Sequence, residues 1–209
     1  MRLERGRLLA TVLCATLSTG CALLTPVKTD TTSYVLNGMP ADLPRQTGPS
    51  GTLMVLVPET APLYASRRMA YSTQAFQIGY YNESEWAIAP AQMIQPLLVE
   101  TMRGAGFSSE IASSSQSGRN TLTLRTEILE LRQDFSLEPA TFRVAMRFSL
   151  LREPTRQLVA TKEMAFSEPI REKTAYGGVI AGNAAIEKML RALADFAIGN
   201  ANSLQAQPQ

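Results

Sequence analysis

The first twenty residues decide where this chain folds, and so what it can fold with. Arg2, Arg5 and Arg7 precede an apolar run from Leu8 to Leu17, interrupted only by Thr11, Cys14 and Thr16. That is the charged start and hydrophobic segment of a secretory signal. Roughly ten apolar residues cannot span a hydrocarbon core that takes about 20 residues of helix, so the run reads as a signal and not as a permanent span. It ends in Leu17-Ser18-Thr19-Gly20-Cys21. Small residues there admit a peptidase, and the Cys21 thiol can accept a diacylglyceryl group, as in a lipobox. The leucine lies four residues before the cysteine, one more than usual, and Ser18 takes its expected place. Cys14 is the poorer acceptor because bulky Leu13 precedes it. A cysteine of this type carries three acyl chains. At about 0.8 kcal/mol per buried methylene the anchor is stable where a single chain is marginal. Ala22 follows the cysteine where lipoproteins retained at the inner membrane commonly carry Asp, which points to the outer membrane and a domain facing the periplasm.

Loss of residues 1–20 changes the composition. Arg2, Arg5, Arg7 and Glu4 go with them, so 20 basic and 18 acidic side chains become 17 and 17 and the net charge falls from +2 to 0. No basic excess remains to neutralise phosphates, which excludes nucleic acid as a partner. Cys14 leaves too and Cys21 is consumed by lipid, so the mature domain folds without a disulfide in a compartment that would permit one. What is left is enough for one domain with a sizeable core.

Strands and helices alternate irregularly through that domain. Thr32 to Leu36 is a short strand, and Leu53 to Val57, apolar on both faces, is a strand covered on both sides. Gly38 to Gly51, rich in Pro, Gly and polar residues, is a loop. Arg68 to Ser72 and Ala75 to Tyr81 can pair. Asn120 to Leu131 is a long strand whose alternation, Leu122, Leu124 and Ile128, changes phase at Leu129 and Leu131, which predicts a bulge. In Thr141 to Leu151 the residues Phe142, Val144, Met146, Phe148 and Leu150 share one face, with Arg143, Arg147 and Ser149 on the other. Glu153-Pro154-Thr155 turns that strand into Gln157 to Phe166, giving an antiparallel meander.

Ile186, Met189, Leu190, Leu193, Phe196 and Ala197 recur at helical spacing within Val179 to Ile198, with Gly199-Asn200 as the stop. An earlier helix lies between Pro90 and Arg103, with Gly104 near its end. Pro96 either kinks it or marks its start. These elements predict an α/β single domain over residues 31–199: a mixed, largely antiparallel sheet with two main helices packed on it. A signal peptide (1–20) and a lipidated tether (21–30) precede it, and a disordered Gln-rich tail (200–209) follows.

Catalytic chemistry is sparse. The sequence holds no His, the commonest general base and metal ligand. Without a free Cys, thiolate catalysis and Cys-ligated zinc go as well. Gly177-Gly178-Val179-Ile180-Ala181-Gly182 has neither the spacing nor the preceding strand of a phosphate or dinucleotide loop. It reads as a place where the last helix packs closely. No Ser stands three residues before a Lys. Glu83, Glu85, Asp134, Glu138 and Glu168 lie near apparent turns and read as solvated loop charges, with a hydrolase built on two of them the competing view. The expectation is a non-enzyme without cofactor or metal.

One segment is richer than a plain domain needs: Arg67-Arg68-Met69-Ala70-Tyr71, then Ile78-Gly79-Tyr80-Tyr81-Asn82-Glu83-Ser84-Glu85-Trp86, then Pro90. Arg and aromatics dominate interface energetics when desolvated, so Arg68, Tyr71, Tyr80, Tyr81 and Trp86 are candidate partner contacts. The plainer view is that Tyr71, Tyr80 and Trp86 brace the sheet edge against the first helix.

The same residues resemble the ABC-type transport auxiliary lipoprotein component family, to which the paraquat-inducible protein C lipoproteins belong. The likeness runs from Tyr34-Val35-Leu36 to the end of the last helix, through Arg68-Met69-Ala70-Tyr71, Tyr80-Tyr81, Trp86, Pro90 and Gly106-Phe107. The departures are the shifted lipobox leucine and Ala87-Ile88-Ala89, where a charged residue often follows the Trp. The resemblance implies a periplasmic domain hung from the outer membrane that acts as an accessory to an intermembrane lipid-transport system. Its other parts would be an ATPase, a permease and an MCE-domain protein. The accessory would dock the far end of the MCE assembly, as a ring of identical subunits. An envelope assembly or structural lipoprotein, serving lipopolysaccharide export or bound to the cell wall, is the alternative.

Overall fold

Five apolar side chains at every second position make Thr141–Arg152 the spine of the molecule: Phe142, Val144, Met146, Phe148 and Leu150 are all buried on one face. In this computed structural model residues 30–45, 51–108, 110–112 and 121–205 are described. The signal, Cys21 and the tether to residue 29 lie outside them, as do 206–209. Residues from Thr31 onward form one unit.

In chain order the strands are β1 (Thr32–Tyr34), β2 (Thr52–Val55), β3 (Glu59–Thr60), β4 (Arg68–Ser72), β5 (Gly79–Trp86), β6 (Glu110–Ala112), β7 (Leu122–Asp134), β8 (Thr141–Arg152) and β9 (Gln157–Pro169). The helices are α1 (Pro90–Gly104) and α2 (Ala175–Gln205), and a single 3-10 turn covers Pro62–Tyr64. Strands β7, β8 and β9 form the expected antiparallel meander. The other edge of β7 is shared along its length by three short parallel partners: β2 near its start, β3 in the middle and β4 at its end. Beyond β2 lies β6, parallel; beyond β4 lies β5, antiparallel, and then β1, parallel to β5. The long pairings are antiparallel and the short ones mostly parallel, so the sheet is mixed. All four residues of β2 are buried, as a strand apolar on both faces requires.

The phase change in β7 is a bulge between Ile128 and Glu130 that leaves Leu129 without a registered partner. It keeps Leu122, Leu124, Thr126, Ile128, Leu131 and Gln133 on the buried side across the break. The opposite side of β7 to β9 carries ion pairs: Arg125 with Glu59, Arg147 with Glu127 and Glu163, and Arg143 and Arg132 with Glu130.

Helix α1 starts at Pro90, whose missing N–H costs nothing in the first turn. Pro96 lies inside it, so it neither starts nor ends the helix. Gln92, four residues earlier, and Pro96 are both exposed, which leaves the Gln92 carbonyl to water. The helix ends at Gly104, as expected, and Gly106, at φ 65°, turns the chain beyond it. There the Gly106 amide donates to the Arg103 carbonyl and the Phe107 amide to the Met102 carbonyl, a complete Schellman cap with Phe107 buried behind it.

Helix α2 is longer at both ends than its apolar spacing predicts. It runs through Gly199 and Asn200 to Gln205, so the segment expected to begin a disordered tail is helical as far as 205. A glycine inside a helix costs only about 1 kcal/mol, and Asn200 Nδ2 donates back to the Phe196 carbonyl at 2.7 Å. The glycines near the helix start do what close packing requires. A Cβ at Gly178 would fall 2.0 Å from Gln133, and one at Gly182 3.0 Å from the Phe142 ring.

Candidate functional site

Strand β4 is short, and its backbone alternates between the two faces of the sheet, Met69 and Ala70 buried, Arg68 exposed and Tyr71 half-buried. Its partner β5 begins at Gly79, four residues later than the apolar run suggests, and continues through Asn82-Glu83-Ser84-Glu85 to Trp86. Residues 73–78 are the turn. The polar half of β5 is a strand because it lies near the sheet edge, between β4 and the short β1, where one face meets water. Ala70 is registered to Tyr80 and Tyr71 to Gly79, so alternation puts Arg68 and Tyr80 on one face and Tyr71 and Tyr81 on the other, and the five candidate residues do not form one patch.

Arg68 and Tyr80 lie on the face that carries the ion pairs. The guanidinium of Arg68 sits 3.9 Å over the Tyr80 ring, and the Tyr80 hydroxyl donates to the Leu63 carbonyl at 3.0 Å. Tyr64 is buried beside them in the 3-10 turn. Burial, then the Glu130 charge, pushes its phenol above the usual tyrosine value. Arg67 pairs with Glu85 and its Nε donates to the Trp86 carbonyl at 3.1 Å.

Tyr71 and Tyr81 lie on the helix face. Their rings meet at 4.8 Å between centroids, with Phe135 6.4 Å from Tyr71. The Tyr81 hydroxyl donates to Gln133 Oε1 at 2.9 Å, and Gln133 Nε2 donates to the Ala175 carbonyl at 3.2 Å. Burial, then the neighbouring Tyr71, pushes Tyr81 up to about 12. Gln133 is buried at this junction of sheet and α2, and the sequence reading ended the strand before it. Its signal was its place, two residues past Leu131, on the apolar phase that follows the bulge.

Trp86 is 2 % exposed and belongs to the core. It is a brace, and as a partner contact it is corrected: an indole with no free surface has none to offer.

The carboxylates also sort themselves. Asp134 is not a solvated loop charge but is buried. Burial alone would raise it, yet hydrogen bonds from the Ser136 hydroxyl and amide, the Arg132 charge and the Ser72 hydroxyl together hold it below the usual carboxylate range. Glu83 is exposed within β5, Glu138 pairs with Lys173, and Glu168 with Lys188. Each of the paired ones faces a cation. Among the described residues no group of three His, Cys, Asp or Glu is placed to hold a metal ion, and no helix is long and apolar enough to cross a membrane.

A family model described as the ABC-type transport auxiliary lipoprotein component matches residues 34–194. The chain belongs to that family. Its matched span begins at the last residue of β1 and ends inside α2, so it takes in all the other strands, α1, and the Tyr71–Tyr81 pair. None of the curated proteins matches the chain. Among solved structures it is similar to protein XCC0632 from Xanthomonas campestris, at 16% identity with a TM-score of 0.74, over 84% of this chain and 100% of that one. It is also similar to an uncharacterized protein, at 15% identity and a TM-score of 0.64, over 79% of this chain and 97% of that one. At these identities the likeness is one of fold. The family description makes this a lipoprotein component auxiliary to ABC-type transport.

Proposed function

We propose that this family member is an outer-membrane lipoprotein, anchored through Cys21, that serves as a non-catalytic accessory subunit of an MCE/ABC-type intermembrane lipid transport system and docks the MCE assembly. The family match over residues 34–194 carries the reading. The residues add to it: ion-paired carboxylates, no His in the chain, and a surface set of Arg68, Tyr80 and Leu63 that suits contact better than chemistry. The energy of ATP hydrolysis belongs to a partner, because this chain has no phosphate loop.

A ring of identical subunits fits the edges of the sheet. β9 pairs only with β8, and β1 only with β5, among the described residues. Two different edges on one subunit allow a head-to-tail interface that closes into a ring.

The test is affinity purification of the full lipoprotein from gently solubilised envelopes, together with an assay of outer-membrane lipid asymmetry in cells lacking it. Recovery of an MCE-domain protein with lost asymmetry is the expected result. Recovery of a β-barrel or cell-wall component, with asymmetry intact, would instead assign the chain to envelope assembly.

A further inference from the structure

Phe76 stands at the tip of the turn between β4 and β5, fully exposed, with its backbone in the left-handed region at φ 64°. That conformation is disfavoured for a bulky side chain, and this ring has no packing to offset it. Nothing about folding accounts for a phenylalanine there.

It is not alone at that end of the sheet. β4 and β7 end side by side, with Ser72 registered to Asp134 and the Phe135 amide donating to the Ser72 carbonyl. The turn that follows β7 is therefore the neighbour of the Phe76 turn, and it exposes Leu137. The Glu138 carboxylate ties this turn by a 2.7 Å contact to Lys173, just before α2. The first turns of α2 lie over Gln133 and Phe142 and expose Tyr176 and Ile180. Three separate segments thus bring large apolar side chains to one end of the domain.

The first described strand also begins toward that end. β1 runs parallel to β5, from Thr32 beside Ser84 to Tyr34 beside Trp86, and β5 runs away from the Phe76 turn. Tyr34 lies 6.2 Å from Tyr176 between ring centroids. Thr32, the first residue of β1, is therefore at the end of that strand nearer the apolar tip. Only about ten residues separate Cys21 from Thr32, a reach of at most about 35 Å when extended.

We infer that this end of the domain lies against the phospholipid surface that holds the N-terminal anchor, with Phe76 inserted at the headgroup level and Leu137, Tyr176 and Ile180 around it. The inference rests on acylation at Cys21. Anchoring by the tether alone leaves the domain free to tumble; a second, apolar contact fixes which way it faces. Arg68 and Tyr80 are then presented sideways, above the membrane, and the β2–β6 end points away from it.

The experiment uses the full lipidated protein carrying Phe76→Cys, which after maturation is its one free thiol, labelled with an environment-sensitive NBD probe. A second protein carries the probe at Leu158→Cys, exposed at the far end of β9, about 36 Å along the strand from its other terminus. Both are reconstituted in phosphatidylethanolamine/phosphatidylglycerol vesicles containing doxyl-labelled lipid, and flotation is measured on the same samples. The expected result is flotation of both, with quenching at position 76 exceeding that at 158 by at least about twofold, as for a group some 5–10 Å into the interface. Flotation with equal or no quenching would overturn the inference while leaving the anchor in place, and would give the apolar end to a protein partner. Absence of flotation would sink the anchor and the inference together.

Discussion

Gly178 sets two effects of opposite sign against each other. Alanine in its place favours the helix by about 1 kcal/mol, but its Cβ would lie 2.0 Å from the Gln133 carboxamide, and overpacking of this kind costs about 1–3 kcal/mol. Gly178→Ala is expected to lower the unfolding free energy in urea by about 1–2 kcal/mol, and Gln133→Ala in the same chain to recover part of it. Thr126 works the other way. Its hydroxyl is buried in β7 without a hydrogen-bond partner, so Thr126→Val, nearly isosteric and a better strand former, should raise stability by about 1 kcal/mol. Asp134 and Tyr81 mark the two ends of the pH range. The Asp134 carboxyl is held below its ordinary value, so the stability it contributes is present above about pH 4 and is lost as the pH falls below that. Asp134→Asn should flatten the acid limb of a stability–pH curve and cost about 1–3 kcal/mol at neutral pH. Tyr81, pushed up to about 12, contributes stability that is complete below about pH 10 and is lost as the pH rises toward 12. Ultraviolet titration should find Tyr81 and Tyr64 ionising late, and Tyr81→Phe should remove the later of these steps.

At the scale of elements the bulge at Leu129 and the proline in α1 are the informative irregularities. Deleting Leu129 would remove the extra residue of the bulge and leave Ile128, Glu130 and Leu131 in plain alternation, so that Leu131 and Gln133 keep the buried face and Glu130 and Arg132 the outer one. Such a variant should keep a cooperative transition by circular dichroism, and loss of that transition would contradict the reading of Leu129 as the inserted residue. Pro96→Ala should stabilise the protein: restoring an N–H for the Gln92 carbonyl is worth up to about 3 kcal/mol, offset by roughly 0.4–1 kcal/mol for a freer unfolded chain. β7 and β8 were legible in sequence because one face is apolar at every second residue, and the phase slip itself announced the bulge. β5 was not, since its second half is polar: a strand near an edge takes its shape from backbone pairing, which leaves no periodic trace when the side chains face water. The end of α2 was misread for a related reason. Gly199 resembles a stop, but it costs too little to unwind a helix whose preceding turns are packed on the sheet.

For the whole molecule, the order of the strands explains why the candidate contacts divided. Arg68, Tyr71, Tyr80, Tyr81 and Trp86 are near neighbours in sequence, and sequence alone could not say which face of a twisted edge each would occupy. Alternation along the β4–β5 pair puts Arg68 and Tyr80 on the outer face and Tyr71 and Tyr81 at the junction with α2, while Trp86, past the register shift, is buried in the core. What was legible was that aromatics and arginine gather there; what was not is that Tyr71 and Tyr81 take the junction with α2 and leave Arg68 and Tyr80 as the pair on the outer face. The docking role is tested most directly at that pair. A photoreactive residue replacing Tyr80, in intact cells, should capture an MCE-domain protein, and the yield should fall when Arg68 is replaced by Glu. Capture of a β-barrel or cell-wall component in its place would contradict the docking role.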